Sequence, residues 1–232
     1  KKSGTKIYTI AADGGEADVL LEHPTGISSY KLSPDGKWIA FLSTDSISGD
    51  RTKKMKKGYD MIVMDELHRY NRIWLYSMGS KETKLIYNND LNVSSYTWSD
   101  DSKSIIFKAT DKPGADATLM DQVLYSVNIP KNKPQNIIKT PGKLGSMDIS
   151  PNGDQLAFLG AISRNDPLPQ SIFITSLILK DKIKVHSRDN ESFFYVQWIN
   201  NETLLAHSIR GTRTVLSLIS NVHQKNDESL VQ

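Results

Sequence analysis

The chain has 232 residues, of which 38% are hydrophobic and 24% charged, which suits a globular protein with a sizeable core and not a disordered or low-complexity chain. Lysine and arginine number 29 against 26 acidic residues, and a net charge of +3 is too weak to point to nucleic acid or an anionic membrane as partner. There is no cysteine, so disulfides, thiolate metal sites and cysteine nucleophiles are all excluded. Cytoplasm and periplasm both remain open.

Taken in chain order, the sequence begins with Lys1 and Lys2, which read like the interior of a longer chain. Two short apolar runs follow, Lys6-Ile-Tyr-Thr-Ile10 and Asp18-Val-Leu-Leu21. Next comes Ser29-Tyr-Lys-Leu32, alternating as one face of a strand requires, and then Ser33-Pro-Asp-Gly-Lys-Trp-Ile-Ala-Phe41. In that segment Pro34 presets the backbone angle, Asp35 supports the bend and Gly36 supplies positive φ. Trp38–Phe41 then reads as a second strand, apolar on both faces. A basic stretch, Arg51-Thr-Lys-Lys-Met-Lys-Lys57, is expected to be a solvated loop. Beyond it, Ile73-Trp-Leu-Tyr76 reads as a third strand and Lys84–Tyr87 as a weaker fourth.

The same grammar then repeats. Ser95–Trp98 leads into Ser99-Asp-Asp-Ser-Lys-Ser-Ile-Ile-Phe107, followed by strands at 123–126 and 135–138. Ser146–Ile149 leads into Ser150-Pro-Asn-Gly-Asp-Gln-Leu-Ala-Phe158, where Pro151, Asn152 and Gly153 take the turn positions, with strands at 172–175 and 182–186. A degenerate unit follows: Tyr195–Trp198, the segment from Ile199 to Ala206, and strands at 214–217 and 229–231. The serine-equivalent positions 33, 99, 150 and 199 give a period near ~50 residues, with about fifteen extra in the first unit. No helical periodicity of ten or more residues is visible.

Four-stranded units at this period predict an all-β fold, a β-propeller of antiparallel blades. About four and a half blades are present: a half blade at 6–22 and blades at 27–88, 93–139, 145–187 and 195–231, forming an incomplete ring. The open ends are expected to self-associate or to find an improvised closure, with Trp198, Leu204 and Val215 on the exposed face of the last blade and an unpaired edge at Ile7–Ile10.

The Ser-Pro-Asp-Gly-Lys-x-Ile-Ala-Phe hairpin resembles the repeat of the propellers that precede the hydrolase domain in prolyl oligopeptidase-family serine peptidases. Periplasmic Tol-type propellers share it. The run from Asp60 to Tyr76, with Arg69-Tyr-Asn-Arg72 and Ile73-Trp74, is similar to the link between second and third strands in acylaminoacyl-peptidase-like and dipeptidyl-aminopeptidase-like members. That resemblance implies a C-terminal α/β-hydrolase domain in the parent chain and peptide substrates passing the propeller channel. It also implies that acidic residues of the insertion, Asp65 and Glu66, could grip the amino terminus of a peptide through charge-assisted bonds.

No catalytic residue is expected within this chain. None of the 14 glycines frames a serine as Gly-x-Ser-x-Gly, and the histidines at 23, 68, 186, 207 and 223 are scattered. No phosphate loop or His-Glu-x-x-His helix occurs, and no cofactor or metal is called for. Asp100 and Asp101 sit at the repeat turn, where turn support outweighs a calcium role. The sequons at Asn92, Asn190 and Asn201 are common chance matches. The leading expectation is a non-catalytic propeller that caps a hydrolase domain and filters peptides by size. A free-standing Tol-type protein-binding platform is the alternative, and a metal-dependent polysaccharide lyase a weaker third.

Overall fold

The computed structural model describes residues 4–61, 69–129, 133–164, 170–178, 183–188, 190–220 and 222, without the side chains of 183 and 184. The first sheet has two strands, β1 (Ile7–Thr9) and β2 (Asp18–Leu21). Blade one comprises β3 (Ser29–Leu32), β4 (Trp38–Thr44), β5 (Asn71–Ser77) and β6 (Thr83–Leu85), with helix α1 (Gly49–Lys56) between β4 and β5. Blade two comprises β7 (Asn92–Trp98), β8 (Ser104–Thr110), β9 (Val123–Asn128) and β10 (Gln135–Lys139), with the short helix α2 (Ala115–Met120) in the same link. Blade three comprises β11 (Leu144–Ile149), β12 (Gln155–Gly160), β13 (Ser171–Ser176) and β14 (Ile183–His186). Blade four shows β15 (Glu191–Asn200), β16 (Thr203–Arg210) and β17 (Arg213–Ser220). Its expected fourth strand at 229–231 lies outside the described residues.

Within each sheet the spatial order follows the chain order and every pairing is antiparallel. Each blade is therefore a meander, and successive blades pack face to face. Ala40, Leu42, Ile73 and Leu75 of blade one pack with Tyr96, Trp98, Ile105 and Phe107 of blade two. Ile106 and Leu124 of blade two meet Ile149, Leu156, Phe158 and Phe173 of blade three. Ala157, Leu159, Ile172 and Ile174 of blade three meet Phe193, Val196, Trp198 and Leu204 of blade four. The rule is plain: the face turned to the next blade is mostly small or aliphatic, and the face that receives it carries the aromatic rings.

This explains the second strands. β4, β8 and β12 are buried at nearly every position because successive side chains point into two different seams. The final phenylalanine of each hairpin also has a fixed cross-strand partner. Phe41 lies opposite Trp74, Phe107 opposite Tyr125 and Phe158 opposite Phe173, with near-parallel rings 6.5, 5.4 and 5.2 Å apart.

One expectation is corrected. Trp198 and Leu204 are 5% and 0% exposed and Val215 is half-buried, because all three lie on the face that receives blade three. The open face of blade four is the opposite one, carrying Tyr195, Leu216 and Leu218. Size alone favours Trp198 for the open side, but the repeat puts the bulky rings on the receiving side.

The basic stretch is a helix rather than a loop. Ser48 caps α1 by accepting from Arg51 N at 3.2 Å, Asp50 lies in the first turn and Lys53, Lys54 and Lys56 in the last, so the helix dipole is matched at both ends. No residue of α1 is buried.

Candidate functional site

The two ends of the blades differ in construction. At one end lie the tight repeat turns. Ser33 Oγ donates to Asp35 Oδ1 at 2.7 Å and accepts from Trp38 N at 3.0 Å, while Lys37 N donates to Asp35 Oδ1 at 3.1 Å. Ser99 and Asp101 repeat this arrangement with Ser104 N and Lys103 N, and Ser150 and Asn152 repeat it with Gln155 N and Asp154 N. The serine ties both strands of the hairpin, and the Asx side chain closes the bend. The bond from Ser33 and then that from Lys37 N hold the Asp35 carboxyl below its ordinary range, and Ser99 and Lys103 N do the same for Asp101.

Gly36 and Gly153 have φ of +71° and +76°, as the sequence predicts; in the second turn Ser102 takes that place at +59°. Adjacent turns are also linked: Asp35 N donates to Ser102 Oγ at 3.0 Å and Asn152 N to Asn201 Oδ1 at 2.9 Å. Replacing Gly36 or Gly153 with valine is expected to cost on the order of 1–2 kcal/mol from left-handed strain, since a Cβ there meets open space and no clash adds to it. Thermal melts of both variants check this, and unchanged midpoints would contradict it.

The first strands of the blades converge. Trp98 Nε1 donates to Lys31 O at 3.2 Å, joining the first strands of blades one and two, and Val196 N to Ser146 Oγ at 3.0 Å and Trp198 N to Asp148 Oδ2 at 2.8 Å, joining those of blades three and four. Asp148 feels the charges of Lys31 and of Asp100, each from a different blade. Desolvation lowers the Lys31 ammonium against the pull of Asp148. Burial raises the Asp148 carboxyl, opposed by bonds from Trp198 N and Ile149 N, and Asp100 adds to the rise. Lys108 occupies the seam position that Leu42 and Leu159 hold elsewhere. Its ammonium donates to Gly145 O at 2.6 Å, and burial brings its pKa down to about 8.

Between the turns of blades two and three lies a cleft of 540 Å³, lined by Ser99, Asp100, Asp101, Asn152, Asp154 and Ile178 among others. Its three carboxylates, Asp100, Asp101 and Asp154, favour ammonium or hydroxyl groups over anions. The repeat turn thus serves two ends: Asp101 and Asn152 shape the bends and also face this cleft.

The opposite end carries the long links. Its base is fixed by the Arg69-Tyr-Asn-Arg72 segment. Arg72 is 9% exposed, stacks on Tyr70 at 5.0 Å and donates to Asp45 Oδ1 at 2.8 Å, Asn89 O at 2.6 Å and Asp90 Oδ1 at 3.0 Å. Arg69 Nε reaches Asp45 O at 2.7 Å, and Asn71 N donates to Asn92 Oδ1 at 2.9 Å. The segment locks the insertion to the junction of blades one and two. Asp65 and Glu66 lie beyond it, outside the described residues.

A Ser–His contact unannounced by any motif occurs at Ser43 and His23. His23 Nδ1 is 2.9 Å from Ser43 Oγ, but that hydroxyl is buried and donates to Gly26 O at 2.5 Å, and desolvation lowers the imidazole pKa. A nucleophile needs access and a base oriented by a third group; the Ser43 hydroxyl is buried, and among the described residues no carboxylate binds the His23 ring. Among the described residues, no group of three or more His, Asp or Glu could hold a metal.

No family model matches the sequence, and no curated protein matches it. Solved structures do match. TolB from Acinetobacter baumannii superposes with a TM-score of 0.58 at 13% identity, over 94% of this chain and 47% of that one. Dipeptidyl peptidase 4 from Porphyromonas gingivalis gives 0.59 at 13% identity, over 95% and 36%. Uncomplexed acylaminoacyl peptidase from Pyrococcus horikoshii gives 0.62 at 12% identity, over 92% and 34%. The fold is an all-β propeller of the kind these proteins contain. The chain spans about half the length of the TolB it matches and about a third of each peptidase.

Proposed function

We propose that the chain is the non-catalytic propeller portion of a prolyl oligopeptidase-family serine peptidase, of the acylaminoacyl-peptidase or dipeptidyl-aminopeptidase kind. In this reading it caps an α/β-hydrolase domain of the same parent chain and admits extended peptides while folded proteins are held out by width. The supporting observation is the pairing of near-complete coverage of this chain with coverage of only 36% and 34% of the two peptidases, which leaves room in those chains for further blades and other domains. The fixed Arg69–Arg72 base adds to it, since it anchors an insertion like those through which such peptidases meet their substrates.

The isolated chain is expected to leave acyl-amino-acid and dipeptide chromogenic substrates intact and to resist a serine-directed fluorophosphonate. Stoichiometric labelling of any serine would overturn the reading. Asp65 and Glu66 are assigned the grip on a free peptide amino terminus. In the parent enzyme, Asp65→Asn with Glu66→Gln should raise KM for free-amino peptides about tenfold or more, the loss of one charge-assisted bond, and leave acyl-blocked substrates unaffected. Equal effects on both substrate types would remove that role.

The second reading, a Tol-type platform for protein partners, is favoured by the likeness to the Acinetobacter protein. The parent reading frame separates the two: a downstream hydrolase domain with a Gly-x-Ser-x-Gly elbow supports the first, and its absence the second.

A further inference from the structure

The link between β4 and β5, two paired strands of a complete blade, carries an arm that the blade does not use for its own packing. Residues 49–61 hold five basic side chains, Arg51, Lys53, Lys54, Lys56 and Lys57, against Asp50 and Asp60. That segment alone has a net charge of +3, equal to that of the whole chain, so charge elsewhere balances.

Local bonds shape the arm. Thr52 Oγ1 donates to Ser48 O at 3.0 Å, Lys57 N to Lys54 O at 2.9 Å and Gly58 N to Met55 O at 3.0 Å. Gly58, at φ +87°, turns the chain back; Tyr59 N then donates to Lys54 O at 3.0 Å and Arg51 Nη2 to Met61 O. α1 buries none of its residues, so no apolar packing offsets the repulsion among Lys53, Lys56 and Lys57, which lie three and four residues apart. Asp50 reaches Lys53 Nζ at 3.6 Å, but Lys54, Lys56 and Lys57 have no ion pair among the described residues. An anion laid along α1 would relieve that repulsion.

The arm also offers apolar contact. Arg51, Lys54, Tyr59 and Met61 bound a hollow of about 400 Å³, and Tyr59 and Met61 are 68% and 75% exposed. We propose that α1 and this hollow bind an acidic, extended segment of a partner protein, with carboxylates on the lysines and an apolar side chain between Tyr59 and Met61. The scale fits such a segment. Eight helical residues are about 12 Å long, the span of about four extended residues. Nucleic acid is disfavoured because positive charge does not continue beyond this short helix, and a membrane because Met55 is the one large apolar residue within it.

The test is fluorescence anisotropy of a dye-labelled synthetic peptide, Gly-Glu-Glu-Leu-Glu-Glu-Gly, titrated with the 232-residue chain. The peptide should bind, and several-fold more weakly as salt rises from about 50 to about 200 mM, because exposed charge pairs are screened. The same peptide with Gln in place of Glu should not bind. Lys53→Gln with Lys54→Gln and Lys56→Gln should weaken binding about tenfold, the loss of three exposed charge pairs. Replacing the same three lysines by arginine should preserve it. Met61→Ser should weaken the leucine-containing peptide and leave one with Gly in place of Leu unchanged. The substituted side chains are unburied, so the strand signal in circular dichroism should persist in every variant. No binding by the wild-type chain at millimolar concentration overturns the proposal, as does equal binding by the Gln variant or of the Gln peptide. Tighter binding of a short DNA duplex or of phosphatidylserine vesicles than of the acidic peptide would overturn the assignment of the partner. If the Gln variant fails to fold, the arginine variant, the Gln peptide and the salt series still decide.

Discussion

Phe107→Ala is expected to lower stability by about 3–5 kcal/mol, the range for deleting a buried aromatic side chain. For a chain of this size that is a fall in melting temperature of roughly 10 °C. Phe107 is fully buried and lies between two rings, Tyr87 from the end of blade one at 5.3 Å and Tyr125 from its own blade at 5.4 Å. Its neighbours are held by closed hairpins, so the space cannot collapse cheaply, and both seam packing and cross-strand stacking go at once. Chaotrope melts measure the loss. A change under about 1 kcal/mol would show that the seam between blades one and two is not packed as described.

The second large effect is at Glu191, whose side chain is fully buried at the start of β15. It accepts from Ser208 Oγ at 2.5 Å and from Arg210 at 3.1 and 2.9 Å. Burial works against its ionised form, yet the bonds from Ser208 and Arg210 outweigh it and hold the carboxyl below its ordinary value of 4.5. Glu191→Ala should cost about 2–3 kcal/mol, near the lower end for breaking a buried pair because Arg210 is partly in water. Glu191→Gln, which keeps size and the Ser208 bond, should cost less. The sign of the pH effect follows from the downward shift. The folded state binds fewer protons at this group than the unfolded chain, so its support is complete above the ordinary glutamate value and drains away as pH falls through the lowered one. Acid titration of stability should be steeper in wild type than in either variant; parallel curves would contradict the assignment.

The hairpins were legible because their chemistry is local. Ser33, Asp35 and Gly36 act within five residues of one another, so the turn, the positive φ and the flanking strands all follow from one short segment. The both-sided burial of Trp38–Phe41 was legible for the same reason, as an absence of alternation. The choice of open face on blade four was not. Trp198 looks the better candidate for an end patch by size, and only the neighbour it packs against assigns it to the buried side. The Glu191–Ser208–Arg210 cluster was missed because its members lie on two strands with no recurring motif, although β15–β16 pairing brings them together. Lys108 was hidden in the same way, occupying an aliphatic seam position by virtue of a sheet register that its own sequence neighbours do not reveal. Asp65 and Glu66 rest on resemblance alone.

The meander order of the sheets bears on how the chain acquires its structure. Because each complete sheet is assembled from consecutive strands, most of its pairings close short loops and each blade has a low entropic barrier to forming. Coupling then runs only between nearest neighbours, through the seams, so folding can begin in any blade and spread outward as in a linear array. Cooperativity in such an array is only as strong as its weakest seam. Blade two, gripped on both sides through Phe107 and Ile106, is among the last units of such an array to open.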